Sequence, residues 1–194
     1  MEKIIIRQGI SPKDRFRAGM LFIEAFYGKF RHIIKNESTF LNLIGSGLNL
    51  NYCISAYNEG KLLGICGFQY GKHRFVNFRF SDFIKRFGIF KGIAKCFLCR
   101  FYYRKHKDRQ LLMDGITVEK SARGLGIGRR MIETLFYYAS AMKFKNIRLD
   151  VIDTNTNARK LYEKLGFKAV RTKKSLFYKD IGFNSITTMI KDIS

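Results

Sequence analysis

The hydrophobic positions of this chain change period several times, and each change marks an element. Residues 3–8, with the β-branched run Ile4-Ile5-Ile6 between polar residues, read as a strand. Ser11-Pro12-Lys13-Asp14 has the chemistry of a helix start: a hydroxyl before proline and an acid in the first turn. The predicted helix runs to about Lys29 and buries Phe16, Met20, Ile23 and Phe26 or their neighbours. A shorter helix is expected between residues 36 and 46. Residues 51–58 and 61–70 alternate on either side of Asn58-Glu59-Gly60, which is a hairpin pattern. After a segment spanning 72–109, the pattern gives a strand at 111–118, a glycine turn and a helix from about Arg129 to Met142. A strand at 147–152 and a helix at about 157–165, closed by Gly166, come next. Strands near 167–171 and 185–191 complete the series.

The turn between strand 111–118 and the following helix carries the most chemistry. Gly124, Gly126 and Gly128 let the backbone approach a ligand with no Cβ in the way. The first N–H groups of the next helix have no partner inside it, and the helix dipole favours an anion there. Arg123 and Arg129 add positive charge. These are the properties of a pyrophosphate cradle. The dinucleotide fingerprint G-x-G-x-x-G fails because Arg129 stands at its third glycine, and no G-x-x-x-x-G-K-[ST] run exists. What fits is R-x-x-G-x-G, read as Arg123, Gly126 and Gly128. The blander alternative is a glycine-rich turn that binds nothing.

About thirty residues later, strand 147–152 is followed by Asn155-x-x-Ala158-x-x-Leu161-Tyr162-x-x-x-Gly166-Phe167. Together the two motifs resemble the cofactor motifs of the GNAT superfamily of N-acyltransferases, in the right order and spacing, over about residues 111–170. The resemblance implies an α/β fold: one domain covering residues 1–194, with a mixed, twisted sheet of about six to seven strands and helices on both faces. Acetyl-CoA would lie in the cleft between two splayed parallel strands. The backbone of Ile116, Thr117 and Val118 is expected to pair with the pantetheine arm. The turn Arg123-Gly124-Leu125-Gly126-Ile127-Gly128-Arg129 would hold the pyrophosphate. Asn155 would bond the pantetheine or the acetyl region. Many similar proteins place proline at the position of Lys120.

The implied chemistry is acetyl transfer from acetyl-CoA to a primary amine in a ternary complex. In similar enzymes the tyrosine of the L-Y pair protonates the departing thiolate, which here is Tyr162; the alternative is a tyrosine anchored in the core. Resemblance to ribosomal-protein acetyltransferases puts a base at Asp150, and resemblance to aminoglycoside acetyltransferases puts it at Asp114. Glu119, at the entrance of the turn, is a third candidate. A base is needed because an amine with a pKa near ~10.4 is neutral in only about one molecule in a thousand at neutral pH. Burial would raise an aspartate toward working pH.

The segment from about 80 to 109 is not explained by either motif. Phe83, Phe87, Phe90, Ala94, Phe97 and Phe101 recur as one helical stripe, with Gly88, Gly92, Cys96 and Cys99 on the opposite side. The small side would let another backbone or a ligand approach closely. Lys85, Arg86, Lys91, Lys95, Arg100, Arg104, Lys105, Lys107 and Arg109 make the segment strongly basic. It is expected to shape the acceptor pocket; a core-packing helix and a membrane-surface helix are the alternatives.

Charge and cysteine content adjust this picture. With 37 Lys+Arg against 15 Asp+Glu, the net charge is +22 and the isoelectric point about 10.1. CoA is itself anionic, but the excess points to a further anionic partner such as RNA, the ribosome or an anionic membrane. It disfavours polycationic acceptors. A non-catalytic acyl-CoA-binding or basic-surface module is therefore the competing function. Cys96-x-x-Cys99 lacks the further ligands of a tetrahedral metal site, with only His106 nearby, so no metal is expected. Four cysteines, no signal-like N-terminus and no apolar run of spanning length suggest a reduced, cytoplasmic protein, and the resemblance implies a homodimer, since many similar proteins dimerise.

Overall fold

A computed structural model of the chain describes residues 4–101, 103–105, 107–175 and 182–193. Lys3, His106 and the side chain of Phe101 lie outside what is described. The elements are β1 (Ile5–Gln8), α1 (Arg15–Phe26), α2 (Glu37–Gly47), β2 (Cys53–Asn58), β3 (Lys61–Tyr70), β4 (His73–Arg74), α3 (Phe80–Phe87) and α4 (Ile89–Phe101). They continue with β5 (Gln110–Val118), α5 (Ile127–Ala141), β6 (Asn146–Ile152), α6 (Thr156–Lys164), β7 (Lys168–Lys174) and β8 (Ser185–Asp192). The sheet runs β1-β2-β3-β5-β6-β8-β7, with the two-residue β4 attached to β3. Its pairings are antiparallel except for β5 with β6. This is the mixed sheet expected from the sequence, one short strand larger.

Local chemistry accounts for most boundaries. Asn36 caps α2, its side chain accepting from the Thr39 N–H at 2.8 Å. The β2–β3 hairpin turns through Glu59 (φ +47°) and Gly60 (φ +79°), the two left-handed residues that a type I′ turn needs. Gly166 ends α6 at φ +86°.

Each face of the sheet buries its own core. One packs α1 to α4 against Cys53, Tyr57, Leu62 and Ile65. The other packs α5 and α6 against Ile54, Cys66, Phe68, Leu111, Met113, Ile147, Leu149 and Val151. The alternation of strand residues between these two cores is the direct result of the two-residue period.

Two expectations fail. Phe16 is 66% exposed and Met20 is also exposed, while Ala18, Leu21, Phe22 and Ile23 are buried. The reason is phase: Pro12–Asp14 forms a 3-10 turn, so α1 begins at Arg15 and presents a different arc to the sheet. Ser11 accordingly makes no side-chain cap. The phenylalanine stripe of the insert is also not one core-facing ridge. Gly88 (φ +78°) breaks it into α3 and α4. Phe83 is buried on the first helix, whereas Phe90 is 89% exposed on the second.

The small side of α4 is its packed side. Cys96 and Cys99 are buried, and Gly92 lies against the α3 backbone. A Cβ there would stand 2.7 Å from the Phe83 carbonyl oxygen and the Ile84 Cα. Gly92→Val should therefore destabilise the fold by about 1–3 kcal/mol or more in urea unfolding, the usual range for overpacking. An unchanged midpoint would contradict this close packing.

Candidate active site

The site begins where sheet pairing stops. Parallel pairing of β5 with β6 extends only from Gln110–Asn146 to Leu112–Arg148. On its other edge β5 remains paired to β3 as far as Val118, but the register slips so that Asp114 is an extra residue opposite Gly67/Phe68. A bulge bends its strand and sharpens the local twist. Beyond it, the facing edges of β5 and β6 are parted. Gly115 lies under the Phe26 ring of α1, where a Cβ would sit 2.3 Å from the ring tip.

Asp114 and Asp150 both lie along this opening, and Arg104, delivered by the chain after α4, joins them. Its guanidinium is 3.0 Å from Asp114 and 3.1 Å from Asp150. It also donates to the Met113 and Asp114 carbonyls at 3.3 and 3.0 Å. Asp150 accepts in addition from Thr188 Oγ1 at 2.7 Å and from Arg148 at 3.2 Å. The two carboxylates therefore differ. Burial raises Asp114, and the pull of Arg104, Arg74 and Lys29 in the other direction is not enough to cancel it. Burial acts upward on Asp150 too, but Arg104, Thr188 and Arg148 together bring it below the ordinary value. The sequence-based expectation of a raised aspartate thus fits Asp114 and not Asp150. Glu119 is engaged elsewhere, 2.9 Å from Arg17 and 3.1 Å from Lys61, and these cations keep it low.

Lys29 belongs to the same electrostatic cluster. It follows α1 in a 3-10 turn, with its ammonium 5.4 Å from the centre of the Phe26 ring. Burial and the nearby Arg104 lower its pKa to about 8 against the opposing influence of Asp114 and Asp150.

Tyr162 lies in the other core, on α6, with its ring 5.9 Å from that of Phe167. Burial, reinforced by Cys66, raises its phenol well above the ordinary tyrosine value. Its proton is thus held firmly at neutral pH. Cys66 is itself buried and its thiol is pushed up by desolvation.

The glycine turn is open as expected. Gly124 (φ +83°) and Gly126 (φ +72°) are left-handed, and nothing occupies the space where their Cβ atoms would be. Gly126 precedes α5 without any side-chain cap, and Leu125 is exposed. A pyrophosphate fits such a cradle, since it would meet backbone N–H groups and no side chain. Gly128 and the buried Ile127 form the first turn of α5, near Ile116 and Leu161. The two arginines are drawn off to the sides. Arg123 donates to the Val118 carbonyl at 3.0 Å and Arg129 pairs with Glu133 at 2.8 Å. Ile116, Thr117 and Val118 lie on β5 beyond its pairing with β6. Asn155 is the cap of α6, its side-chain oxygen accepting from the Ala158 N–H at 3.2 Å.

Sequence reasoning missed Lys29, Arg148, Thr188 and the specific place of Arg104. The basic density of the insert was the only available signal for Arg104. Lys29 had none, because its role comes from the α1–β5 contact.

A splayed parallel strand pair, a left-handed glycine turn and a helix N-terminus in this order define an acyl-CoA-type transferase fold. The family profile described as "Acetyltransferase (GNAT) family" matches residues 21–167. The chain belongs to the GNAT family, whose members use acetyl-CoA as co-substrate. It is 26% identical over 107 residues to a spermine/spermidine N(1)-acetyltransferase of Bacillus subtilis (strain 168). That match spans 55% of this chain and 65%, less than two thirds, of the relative. Among solved structures it resembles a ribosomal-protein-alanine N-acetyltransferase from Brucella melitensis, with TM-score 0.65, 15% identity, and 97% and 99% of the two chains covered. The ribosomal-protein-S18-alanine N-acetyltransferase from Escherichia coli gives TM-score 0.57 and 16% identity over 99% and 95%. At such identities the structural likeness speaks for the fold.

The depressed Lys29 makes a pH prediction. Between about 8 and the ordinary lysine value of 10.5, the unfolded chain holds the proton that the folded chain has released, so raising pH stabilises the fold there. Below that window both states are charged and the fold carries the full penalty. Lys29→Met should therefore raise Tm most near neutral pH, and the gain should shrink toward about pH 10. An equal gain at both would assign the effect to packing.

Proposed function

We propose that this protein transfers an acetyl group from acetyl-CoA to a primary amine by direct attack in a ternary complex. The observation that carries the reading is the unpaired edge of β5, running between the left-handed glycine turn and the Asp114–Asp150 pair. Ile116, Thr117 and Val118 offer the pantetheine arm a strand edge, and the turn from Arg123 to Arg129 offers the pyrophosphate its N–H groups. Asp114, the carboxylate with the raised pKa, takes the amine proton once Arg104 releases it. Tyr162 donates its proton to the departing sulfur. Cys66 is held as a thiol by burial, which argues against an acyl-cysteine route.

The surroundings also describe the acceptor. Arg104, Lys29 and Arg148 outnumber the two carboxylates they border. The Bacillus relative is named for spermine and spermidine, which are polycations; this arrangement favours instead an amine whose molecule carries its own anionic group. A second reading, a binding module without turnover, draws support from Arg104, which occupies both candidate bases.

Calorimetric titration with acetyl-CoA comes first, followed by an amine screen read by CoA release. Micromolar one-site binding and release with an anionic amine support the proposal. No binding at millimolar acetyl-CoA ends it, and binding without release for any amine, in the parent and in Arg104→Ala, establishes the binding module. Tyr162→Phe should lower turnover about 100-fold or more while acetyl-CoA affinity stays within about twofold. Unchanged turnover removes Tyr162 from the mechanism.

A further inference from the structure

The bulky face of α4 has no partner within the described chain. Ile89, Phe90, Ile93, Phe97 and Leu98 are all exposed, Phe90 at 89% and Phe97 at 66%. On a helix these positions, with Ala94, fall on one continuous arc of roughly half the circumference. The opposite arc, Gly92, Cys96 and Cys99, is the one buried against the rest of the fold. The burial is thus inverted relative to an ordinary surface helix: small residues face inward and aromatics face outward. An apolar patch of this kind on a protein surface marks an interaction site.

The charge around the patch selects the partner. From Phe83 to Lys107 the chain contains no Asp or Glu. Lys91 and Arg100 are exposed on α4 itself, and Lys85 and Arg86 are exposed on α3. The Arg100 guanidinium lies 5.1 Å from the centre of the Phe80 ring, so its stem covers apolar surface while its charge stays outside. A second copy of the chain would set these cations against their own duplicates, on a molecule of net charge +22. RNA would satisfy the charge but leave Ile89, Ile93 and Leu98 without apolar cover. A bilayer with anionic headgroups satisfies both: acyl chains take the aromatic and aliphatic side chains, and headgroups take the lysines and arginines. No described helix is long and apolar enough to cross a membrane, so the contact is one that lies in the interface. We propose that α4 is a peripheral docking helix for an anionic lipid surface, inserting Phe90 and Phe97. This inference does not depend on the acetyl-transfer reading.

The test uses the full chain, which contains no tryptophan. Phe90→Trp therefore supplies a unique fluorophore. With vesicles of phosphatidylglycerol and phosphatidylcholine, its emission should shift to the blue and be quenched by brominated acyl chains; pure phosphatidylcholine should give little of either. In co-sedimentation, F90E/F97E should bind the anionic vesicles at least roughly tenfold more weakly than the parent. Its circular dichroism should be unchanged, because both side chains are exposed; F90S/F97S is the milder companion should the glutamates disturb folding. Parent-like binding by both double variants would reduce the contact to surface charge and overturn the proposal. So would absence of vesicle binding, including the case in which the parent self-associates and the variants do not, which would assign the face to a second copy.

Discussion

Parallel pairing between β5 and β6 ends after Leu112–Arg148, and the rest of the site follows from that interruption. A continued ladder would have consumed the N–H and C=O groups of residues 113–118 on that edge. The extra residue at Asp114 bends β5, Gly115 admits Phe26 of α1, and the strand edge is left facing a gap. The same interruption puts α6 and Tyr162 on one side of the gap, while Phe26 and Lys29 belong to the helical layer on the other. The cleft is thus a joint between two cores, with the sheet as its frame.

Exposed edges and unpaired carboxylates are both costly, and Arg104 offsets both. One planar cation reaches two backbone oxygens and two carboxylates. A lysine could not reproduce this, since its ammonium is a point charge without the guanidinium fork. Part of the cost appears nearby, at Lys29, whose ammonium is disfavoured first by burial and then by the added positive charge. The charge balance of the cleft is therefore set jointly by α1, by the chain after α4 and by the sheet.

The legible parts of the fold were those written in local chemistry. Gly124 and Gly126 announced the turn before α5 because its left-handed backbone favours glycine, and Gly128 keeps the first turn of that helix free of a side chain. Asn58-Glu59-Gly60 announced its hairpin, and the alternation of residues 147–152 its strand. Helix phase was less legible: a 3-10 turn at Pro12–Asp14 rotates α1, and no periodicity count detects it. The aromatic stripe misled for a related reason, since Gly88 at positive φ separates residues that share one spacing. In the candidate site, Asp114, Asp150 and Tyr162 could be named through a family resemblance. Their surroundings could not, because Arg104, Lys29 and Thr188 reach the cleft from distant parts of the chain.

Arg104 has a consequence for measured affinities. Tethered within its own molecule, the guanidinium competes at an effective concentration that dilution of the sample does not reduce. A cation approaching Asp114 and Asp150 meets a site already filled by a resident rival. Its apparent dissociation constant is its intrinsic one divided by the fraction of molecules in which the rival has withdrawn. If that fraction were about one in a hundred, affinity would be reported about a hundredfold too weak. Weak binding of an amine to this protein would then measure the hold of residue 104 as much as the fit of the guest.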